Sequence, residues 1–193
     1  MLSVVIATQD SERPLLPTLA ALVPGAAAGA VREVIIADGG SRDATAEIAD
    51  EAGCRLLVSE RPRGARMKAA AATARSGWLL FLTPGVIPDV TWIDETRRFA
   101  ENGEMLGHAM RQAAVFRAGA GPISSLAAEA ASLLRRAVGA RPLPQQGLLI
   151  AKPLYDQLGG HDDTAAEPER DLYRRLGRRR IVLLRTAASL LAD

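Results

Sequence analysis

Two carboxylates flank a glycine pair in VIIADGGSRD, residues 34–43. Asp38 directly follows an apolar run, and the two glycines after it allow backbone conformations and close approaches that a side chain would prevent. An ionised carboxylate here could accept charge-assisted hydrogen bonds from an imide N–H or a ribose hydroxyl. The pattern also suits an ordinary turn in which Asp38 closes an Asx-type bond and Asp43 caps the next helix. A ligand site and a turn are equally supported by these residues alone.

The elements around this segment alternate regularly. Strands are predicted at 3–8, 33–37, 55–58 and 78–82, and helices at 12–22, 44–52, 64–75 and 88–101. Continuous apolar strands separated by helices are typical of parallel βαβ units covered on both faces. Ligands of such open sheets bind outside the carboxyl ends of the strands, where Asp38 is placed. The first half therefore predicts an α/β fold with a Rossmann-type, mostly parallel sheet flanked by helices.

The second half is less regular. It predicts strands at 107–117, 148–151 and 181–184, and helices at 122–138, 153–158 and 167–176. We expect these elements to form a smaller, mixed half of the same domain. The helix at 122–138 could pack on the sheet, contact a membrane or form a homodimer, and the sequence does not choose among these.

Composition narrows the function classes. The chain has 193 residues, of which 48% are hydrophobic and 24% charged, which suits one domain over 1–193. Its apolar runs fall short of the roughly 20 residues that a membrane helix needs, and its N-terminus lacks signal-peptide features, so we expect a cytoplasmic protein. Aromatic residues make up only 4%, which argues against nucleic-acid stacking. An arginine cluster at 174–180 suits a solvated helix end, or a peripheral contact with an anionic membrane surface.

The dinucleotide-binding G-x-G-x-x-G motif and the P-loop are not found in the sequence. However, SVVIATQD, EVIIADGGSRDAT and RPRGARMKAAAATARSGWLLFL resemble, in order and spacing, family 2 glycosyltransferases of the GT-A fold. The likeness is closest to short bacterial members with a DGGS motif. GLLIAKPLYDQLGGHDD resembles the acceptor-side segment of that family, and PERDLYRRLGRR its following helix. The resemblance thus implies a GT-A-like domain with a nucleotide-binding half at 1–103 and an acceptor-side half at 104–193.

The resemblance implies an inverting transferase that uses a nucleotide-diphospho-sugar donor and an unidentified acceptor. Asp38 would bind the base or ribose, and the glycines and serine after it would pass close beneath. Met67 falls in the segment around the nucleotide and ribose. Residues implied to contact the donor are Thr8, Asp10, Asp38, Gly39, Gly40, Ser41, Arg61 and Gly64.

The chain departs from the family at its metal-binding motif. The fourth strand ends LFLTPG, so that Gly85 stands where the family has the Asp that holds Mg²⁺ or Mn²⁺. Such ions need oxygen ligands, and Thr83 offers only a weak one. Arg66 and Lys68 replace neutral residues of the family and could supply the missing positive charge. We favour the alternative that both are exposed charges on an alanine-rich helix.

Acidic positions on the acceptor side are also changed. The GDQ segment of the family corresponds to Pro144, Gln145 and Gln146, and its Glu-Asp pair corresponds to Pro168 and Glu169. Glu169 is then the candidate general base for the acceptor hydroxyl. Further candidates are Asp171, Asp162 and Asp163.

His161 occupies a position where the family usually has an aromatic residue, after a glycine pair. It could line the acceptor side or be exposed.

Two hypotheses follow from these residues. The first is a glycosyltransferase whose diphosphate leaving group is stabilised by basic residues or by a poorly held metal. The second is a catalytically degenerate domain that keeps the nucleotide pocket and regulates a partner. The losses at Gly85, Gln145 and Pro168 favour the second, whereas the intact DGGS motif favours the first, which we prefer. A nucleotidyltransferase is disfavoured because ATQDSERP has no glycine.

Overall fold

The computed structural model describes residues 1–119 and 143–191. Its strands are β1 (Leu2–Thr8), β2 (Val31–Asp38), β3 (Arg55–Val58), β4 (Trp78–Leu82), β5 (Val86–Pro88), β6 (Ala113–Ala118), β7 (Leu148–Ala151) and β8 (Ile181–Leu190). Its helices are α1 (Glu12–Ala27), α2 (Thr45–Glu51), α3 (Arg63–Thr73), α4 (Trp92–Met105), α5 (Lys152–Gln157) and α6 (Pro168–Leu176). The eight strands of the described residues belong to one sheet, in the order β3-β2-β1-β4-β7-β6-β8-β5.

The first four strands pair in parallel, as the sequence predicts. Every residue of β1 and β4 is buried, which is why these strands are apolar on both faces. In the register of β1 and β2, Thr8 lies opposite Asp38. The carboxyl ends of the two strands therefore meet at one edge of the sheet, and the predicted site residues after them are neighbours.

The second half extends the same sheet and makes it mixed. β7 runs antiparallel to β4, with Phe81 opposite Leu148, and β6 runs antiparallel to β7. β8 is parallel to β6, and β5 is antiparallel to β8. The predicted α/β fold with a mixed second half is confirmed.

Two predicted boundaries are wrong because tertiary packing overrides local signals. Helix α1 continues through Pro24 to Ala27, since its last turn packs on α4, where a β-carbon at Gly25 would collide with the Trp92 ring. Helix α4 continues to Met105, and β6 starts only at Ala113, so the strand predicted at 107–117 is about half its expected length.

Three further differences concern the second half and its edge. The short strand β5 was not predicted, and α4 begins after it rather than at residue 88. β8 extends past its predicted end at residue 184 to Leu190, because β5 and β6 pair along its length. The predicted helix at 122–138 lies outside the described residues. Within the described ranges, no helix is both long enough and apolar enough to span a membrane.

Candidate active site

Asp38 organises the turn after β2. Its side chain is buried, and Oδ1 accepts hydrogen bonds from the hydroxyls of Thr8 (2.8 Å) and Ser41. Oδ2 accepts the backbone N–H groups of Gly40 (2.9 Å) and Ser41 (2.8 Å). Burial alone would raise the pKa of Asp38, but these bonds outweigh it and lower the pKa below the usual value. Since a carboxylate has about four acceptor sites, the Asp38 carboxylate is saturated by its own turn together with Thr8 at the end of β1.

Reciprocal hydrogen bonds join the loop after β1 to the loop after β2. Asp10 donates its N–H to the Ser41 hydroxyl (2.8 Å) and accepts the N–H of Arg42 (2.8 Å). Asp43 accepts the N–H of Glu12, the first residue of α1, at 2.9 Å. Asp10 is held at φ +46°, a conformation that few non-glycine residues adopt. The two loops therefore form one rigid rim at the carboxyl edge of the sheet.

Arg66 is buried beneath this rim, so the expectation that it is exposed was wrong. Its Nη1 donates to the carbonyls of Thr8 (2.6 Å) and Ala37 (3.0 Å), which joins the carboxyl ends of β1 and β2. Gly39 lies directly on the guanidinium, and its missing side chain makes room for it. Lys68, by contrast, has a half-exposed side chain.

A cleft opens beside this rim, where β4 ends and helices α3 and α6 approach. Most of its lining is apolar, and its polar side chains include a threonine, a histidine and a glutamate. The lining residues are Met67, Phe81, Leu82, Thr83, Pro144, Leu148, His161, Glu169 and Tyr173. The cleft is small, and its apolar wall carries a few polar groups that could fix the orientation of a ligand.

Glu169 is the one carboxylate among the described residues that line the cleft. It stands in the first turn of α6, where the helix dipole stabilises negative charge. Its Oε1 lies 2.6 Å from Arg63 Nη2, and its side chain is 13% exposed. The same oxygen accepts no well-directed hydrogen bond from residues 1–119 or 143–191. Because this oxygen is buried and paired with Arg63, an acceptor hydroxyl would have to displace Arg63 to donate to it.

His161 is fully buried against the cleft, which excludes the exposed position considered from the sequence. The Tyr155 hydroxyl lies 2.8 Å from His161 Nδ1 and accepts the backbone N–H of His161 at 3.0 Å. Burial, reinforced by the positive charges of Arg175 and Arg63, lowers the pKa of His161 to about 3, so the ring is neutral. No pattern in the sequence indicates that this ring is buried.

The other candidate bases are bound elsewhere. Asp171 pairs with Arg174 (2.5 Å) and Arg175 (2.7 Å), and hydrogen bonds from these residues lower its pKa. Arg175 also donates to the Gly160 carbonyl at 2.7 Å, so Asp171 orients a link between α6 and the His161 loop. The Asp162 carboxylate accepts hydrogen bonds from the backbone N–H and the hydroxyl of Thr164 within its own turn.

A looser group of charges lies near the start of α3. Asp163 is 3.7 Å from Arg61 and 3.8 Å from Lys68, in partly exposed pairs. Gly64, at the start of the helix, is packed so closely that a β-carbon would collide with the Asp162 carbonyl.

The side-chain amide of Gln146 has a structural role, since it hydrogen-bonds to the backbone of Leu143 and Phe116. Gln145 is exposed.

The donor set of the cleft does not fit a divalent cation. Thr83 lines the cleft, but Gly85 is buried at φ +88° with its N–H bonded to the Pro14 carbonyl and the Thr18 hydroxyl. No group of three His, Cys, Asp or Glu side chains that could hold a metal ion occurs in the described part of the chain. We therefore assign no chemical step to a metal.

Comparison with known proteins identifies the sequence family and similar folds. The model of the family described as glycosyl transferase family 2 matches residues 3–114. No curated protein sequence matches significantly. Among solved structures, glucosyl-3-phosphoglycerate synthase from Mycobacterium tuberculosis, in complex with Mn²⁺, UDP and glucosyl-3-phosphoglycerate, is similar over 100% of this chain and 72% of its own (19% identity, TM-score 0.68).

A second similar structure is S. aureus TarS. It is 16% identical, with a TM-score of 0.68, over 99% of this chain and 36% of its own. A shorter form, TarS 1–349 in complex with UDP-GlcNAc, is 15% identical over 100% of this chain and 58% of its own, also with a TM-score of 0.68. This chain thus spans about a third of the longer TarS chain. At these identities the likeness concerns the fold.

Proposed function

The chain belongs to glycosyl transferase family 2, and from this premise we propose that it transfers a sugar from a nucleotide-diphospho-sugar to an acceptor hydroxyl in the cleft beside β4. The proposal is supported chiefly by Glu169, the carboxylate that lines the cleft, whose side chain is paired with Arg63 and 13% exposed. A general base must lie within hydrogen-bond reach of the proton that it removes, and a hydroxyl in the cleft that displaces Arg63 meets that requirement.

The reaction that we propose is a single displacement. The acceptor oxygen attacks the anomeric carbon and Glu169 takes its proton. The bond between that carbon and the diphosphate oxygen breaks, and the nucleoside diphosphate leaves. Attack from the face opposite the leaving group inverts the configuration of the sugar. Arg63 keeps the Glu169 carboxylate paired before the acceptor arrives.

The diphosphate would bind at the start of α3. Arg61 and Lys68 are positive charges near a helix N-terminus, which itself attracts anions, and the first turn of the helix has no acidic residue. Arg63 lies beside them but is already paired with Glu169. The pairs of Arg61 and Lys68 with Asp163 are long and partly exposed, so phosphate oxygens could replace that carboxylate at little cost. Arg66 is buried, so in this proposal it stabilises the rim and does not contact the diphosphate.

Asp38 and its neighbours keep a role in this proposal as the rim over which the base and ribose would lie. Because the Asp38 carboxylate is saturated, the nucleotide would bind through the groups around it. The exposed Asp10 is the candidate, since the hydroxyls of Thr8 and Ser41 and the N–H groups of the glycine pair already donate within the rim.

Turnover in which water replaces the unidentified acceptor tests this function. Release of nucleoside diphosphate would be measured with UDP-glucose, UDP-N-acetylglucosamine and GDP-mannose. Glu169→Gln should lower the rate at least about 100-fold and leave donor binding intact, since general bases contribute roughly 10²–10⁴-fold. Glu167→Gln is the matched control, because Glu167 precedes the same helix but pairs with Arg170 on the surface. Equal rates in wild type and Glu169→Gln would refute Glu169 as the base.

A catalytically degenerate, nucleotide-binding domain that regulates a partner is the second candidate. It is favoured by the ion pair between Glu169 and Arg63 and by the glycine at residue 85. Tight donor binding by the wild type without release of nucleoside diphosphate, under conditions in which a transferase of the family turns over, would favour this candidate.

A further inference from the structure

The hydrogen bonds around His161 determine which ring nitrogen carries the proton. The Tyr155 hydroxyl accepts the backbone N–H of His161, and its own hydrogen needs an acceptor. Nδ1, at 2.8 Å, is the acceptor that the described residues offer. The Tyr155 hydroxyl therefore donates to Nδ1, and in the neutral ring the proton is on Nε2.

This Nε2–H is a buried donor without a partner in residues 1–119 and 143–191. His161 has no exposed surface, and its ring packs against Phe81 at 76°, with ring centroids 4.8 Å apart. Leaving such a donor unpaired is unfavourable, because burial has removed the water that would otherwise accept from it. Nδ1 is turned towards Tyr155, so Nε2 is the polar atom that the ring offers to the cleft.

The loop that carries His161 is fixed from several sides. Gly160, at φ +71°, lies against the Tyr155 ring, where a β-carbon would come within 3.1 Å. The Gly160 carbonyl accepts a hydrogen bond from Arg175. On the other side of His161, the Asp162 carbonyl rests on Gly64 at the start of α3. The donor is therefore held in place before any ligand arrives, which lowers the entropic cost of binding.

We propose that His161 is a specificity-determining residue, whose Nε2–H donates a hydrogen bond to a hydroxyl oxygen of the transferred sugar. The inference rests on the proposed function. A sugar hydroxyl suits this donor because its oxygen can accept from a neutral N–H in a mostly apolar wall. A phosphate oxygen would bring a buried negative charge that the neutral ring does not balance. The transferred sugar, rather than the acceptor, is assigned because His161 is wholly buried, whereas the side chain of Glu169, the proposed base for the acceptor, is partly exposed.

The test compares affinities for a nucleotide-sugar and for its nucleoside diphosphate by calorimetry. The probe is whichever of UDP-glucose, UDP-N-acetylglucosamine and GDP-mannose binds the wild type most tightly. His161→Phe, which keeps an aromatic ring of similar size without a donor, should weaken the nucleotide-sugar about 10-fold and change the affinity for the diphosphate by less than about twofold. His161→Gln, whose side-chain amide can place an N–H near Nε2, should recover part of the loss.

Each outcome has a distinct meaning. Equal weakening of sugar-bearing and sugar-free ligands would place the contact on the nucleotide and overturn the inference. Unchanged affinities in His161→Phe would overturn it while leaving the proposed function standing. Failure of the wild type to bind any of the three nucleotide-sugars would overturn both. Melting temperatures close to that of the wild type would exclude unfolding of the variants as the cause of weaker binding. A ¹⁵N long-range correlation spectrum of the wild type should show the neutral His161 ring with its proton on Nε2.

Discussion

Gly39 lies on the guanidinium of Arg66, so that a β-carbon at residue 39 would be 2.5 Å from Nη1. Arg66 in turn bonds the carbonyls at the ends of β1 and β2. The two glycines after Asp38 are thus required for different reasons. Gly39 makes room for a buried arginine, whereas Gly40 has φ +83° and open space where a β-carbon would lie.

Gly39→Ala should lower the free energy of unfolding by about 1–3 kcal/mol, since overpacking strains a close contact. The loss should be smaller in an Arg66→Ala background, where the clash is removed, so that the two changes are not additive. Urea unfolding of the four proteins of this cycle measures the coupling. Gly77→Ala is the control, because its β-carbon meets nothing within 4 Å and its φ is not positive. Additive effects would mean that Gly39 and Arg66 do not constrain each other.

Introducing a carboxylate at residue 85, where the sequence resemblance implies one, should not create a metal site. Gly85→Asp would place a side chain at φ +88°, with its β-carbon 3.4 Å from Pro14 and Leu190 rather than in the cleft. We expect a loss of about 2 kcal/mol or more of unfolding free energy, from backbone strain and a buried charge. Gly85→Asn, which tolerates this conformation better, should lose less. A gain of Mn²⁺-dependent UDP binding by Gly85→Asp would contradict the account.

Asp171 should matter for stability and not for chemistry. Asp171→Asn weakens its pairs with Arg174 and Arg175 and loosens the link to Gly160, at a cost of about 1 kcal/mol. Its rate of donor turnover should stay within about threefold of the wild type, far from the loss expected when a general base is removed. Thermal unfolding and the water-transfer assay, run on the same preparation, separate the two effects. A loss of turnover comparable to that of Glu169→Gln would identify Asp171 as a catalytic group instead.

The buried, neutral His161 predicts a pH dependence of stability. Its pKa is about 3 in the folded protein and near 6.5 when unfolded, so below pH 6.5 the unfolded chain binds the extra proton. The free energy of unfolding should therefore fall as the pH drops from 6.5 towards 3, by at most about 1.4 kcal/mol per pH unit. The groups that face the ring are Tyr155, Arg63, Arg175 and Asp171.

Urea unfolding between about pH 7 and pH 5 isolates this effect, because the lowered carboxylate pKa values of Asp38 and Asp171 act at lower pH. His161→Phe should have a flatter profile over that interval. An identical slope in both proteins would show that His161 is accessible to protons in the folded state.

Much of the fold could be predicted from local pattern. The strands at 55–58, 78–82 and 148–151 have the predicted bounds, because short apolar runs bounded by polar residues or glycines leave little choice of register. The end of α1 could not be predicted from local pattern, because Pro24 signals a break in the helix. Only the packing of Gly25 on Trp92 shows why the helix continues.

The site was predictable in outline only. The motif placed Asp38 at the carboxyl edge of the sheet, but not the saturation of its carboxylate. Arg66 was misjudged because its burial depends on carbonyls 58 and 29 residues away along the chain. The tautomer of His161 likewise depends on Tyr155, whose position follows from the packed loop and not from spacing.

The central claim is that the cleft beside β4 binds a nucleotide-sugar, and calorimetric titration with a cleft-blocking variant tests it most directly. Thr83→Trp fills the cleft, and Val90→Trp adds the same side chain at a residue that is 91% exposed. UDP-glucose, UDP-N-acetylglucosamine and GDP-mannose would be titrated into both variants and the wild type. We predict that at least one binds the wild type and Val90→Trp equally and does not bind a folded Thr83→Trp. Binding to Thr83→Trp with wild-type affinity, or no binding to the wild type, would contradict the account.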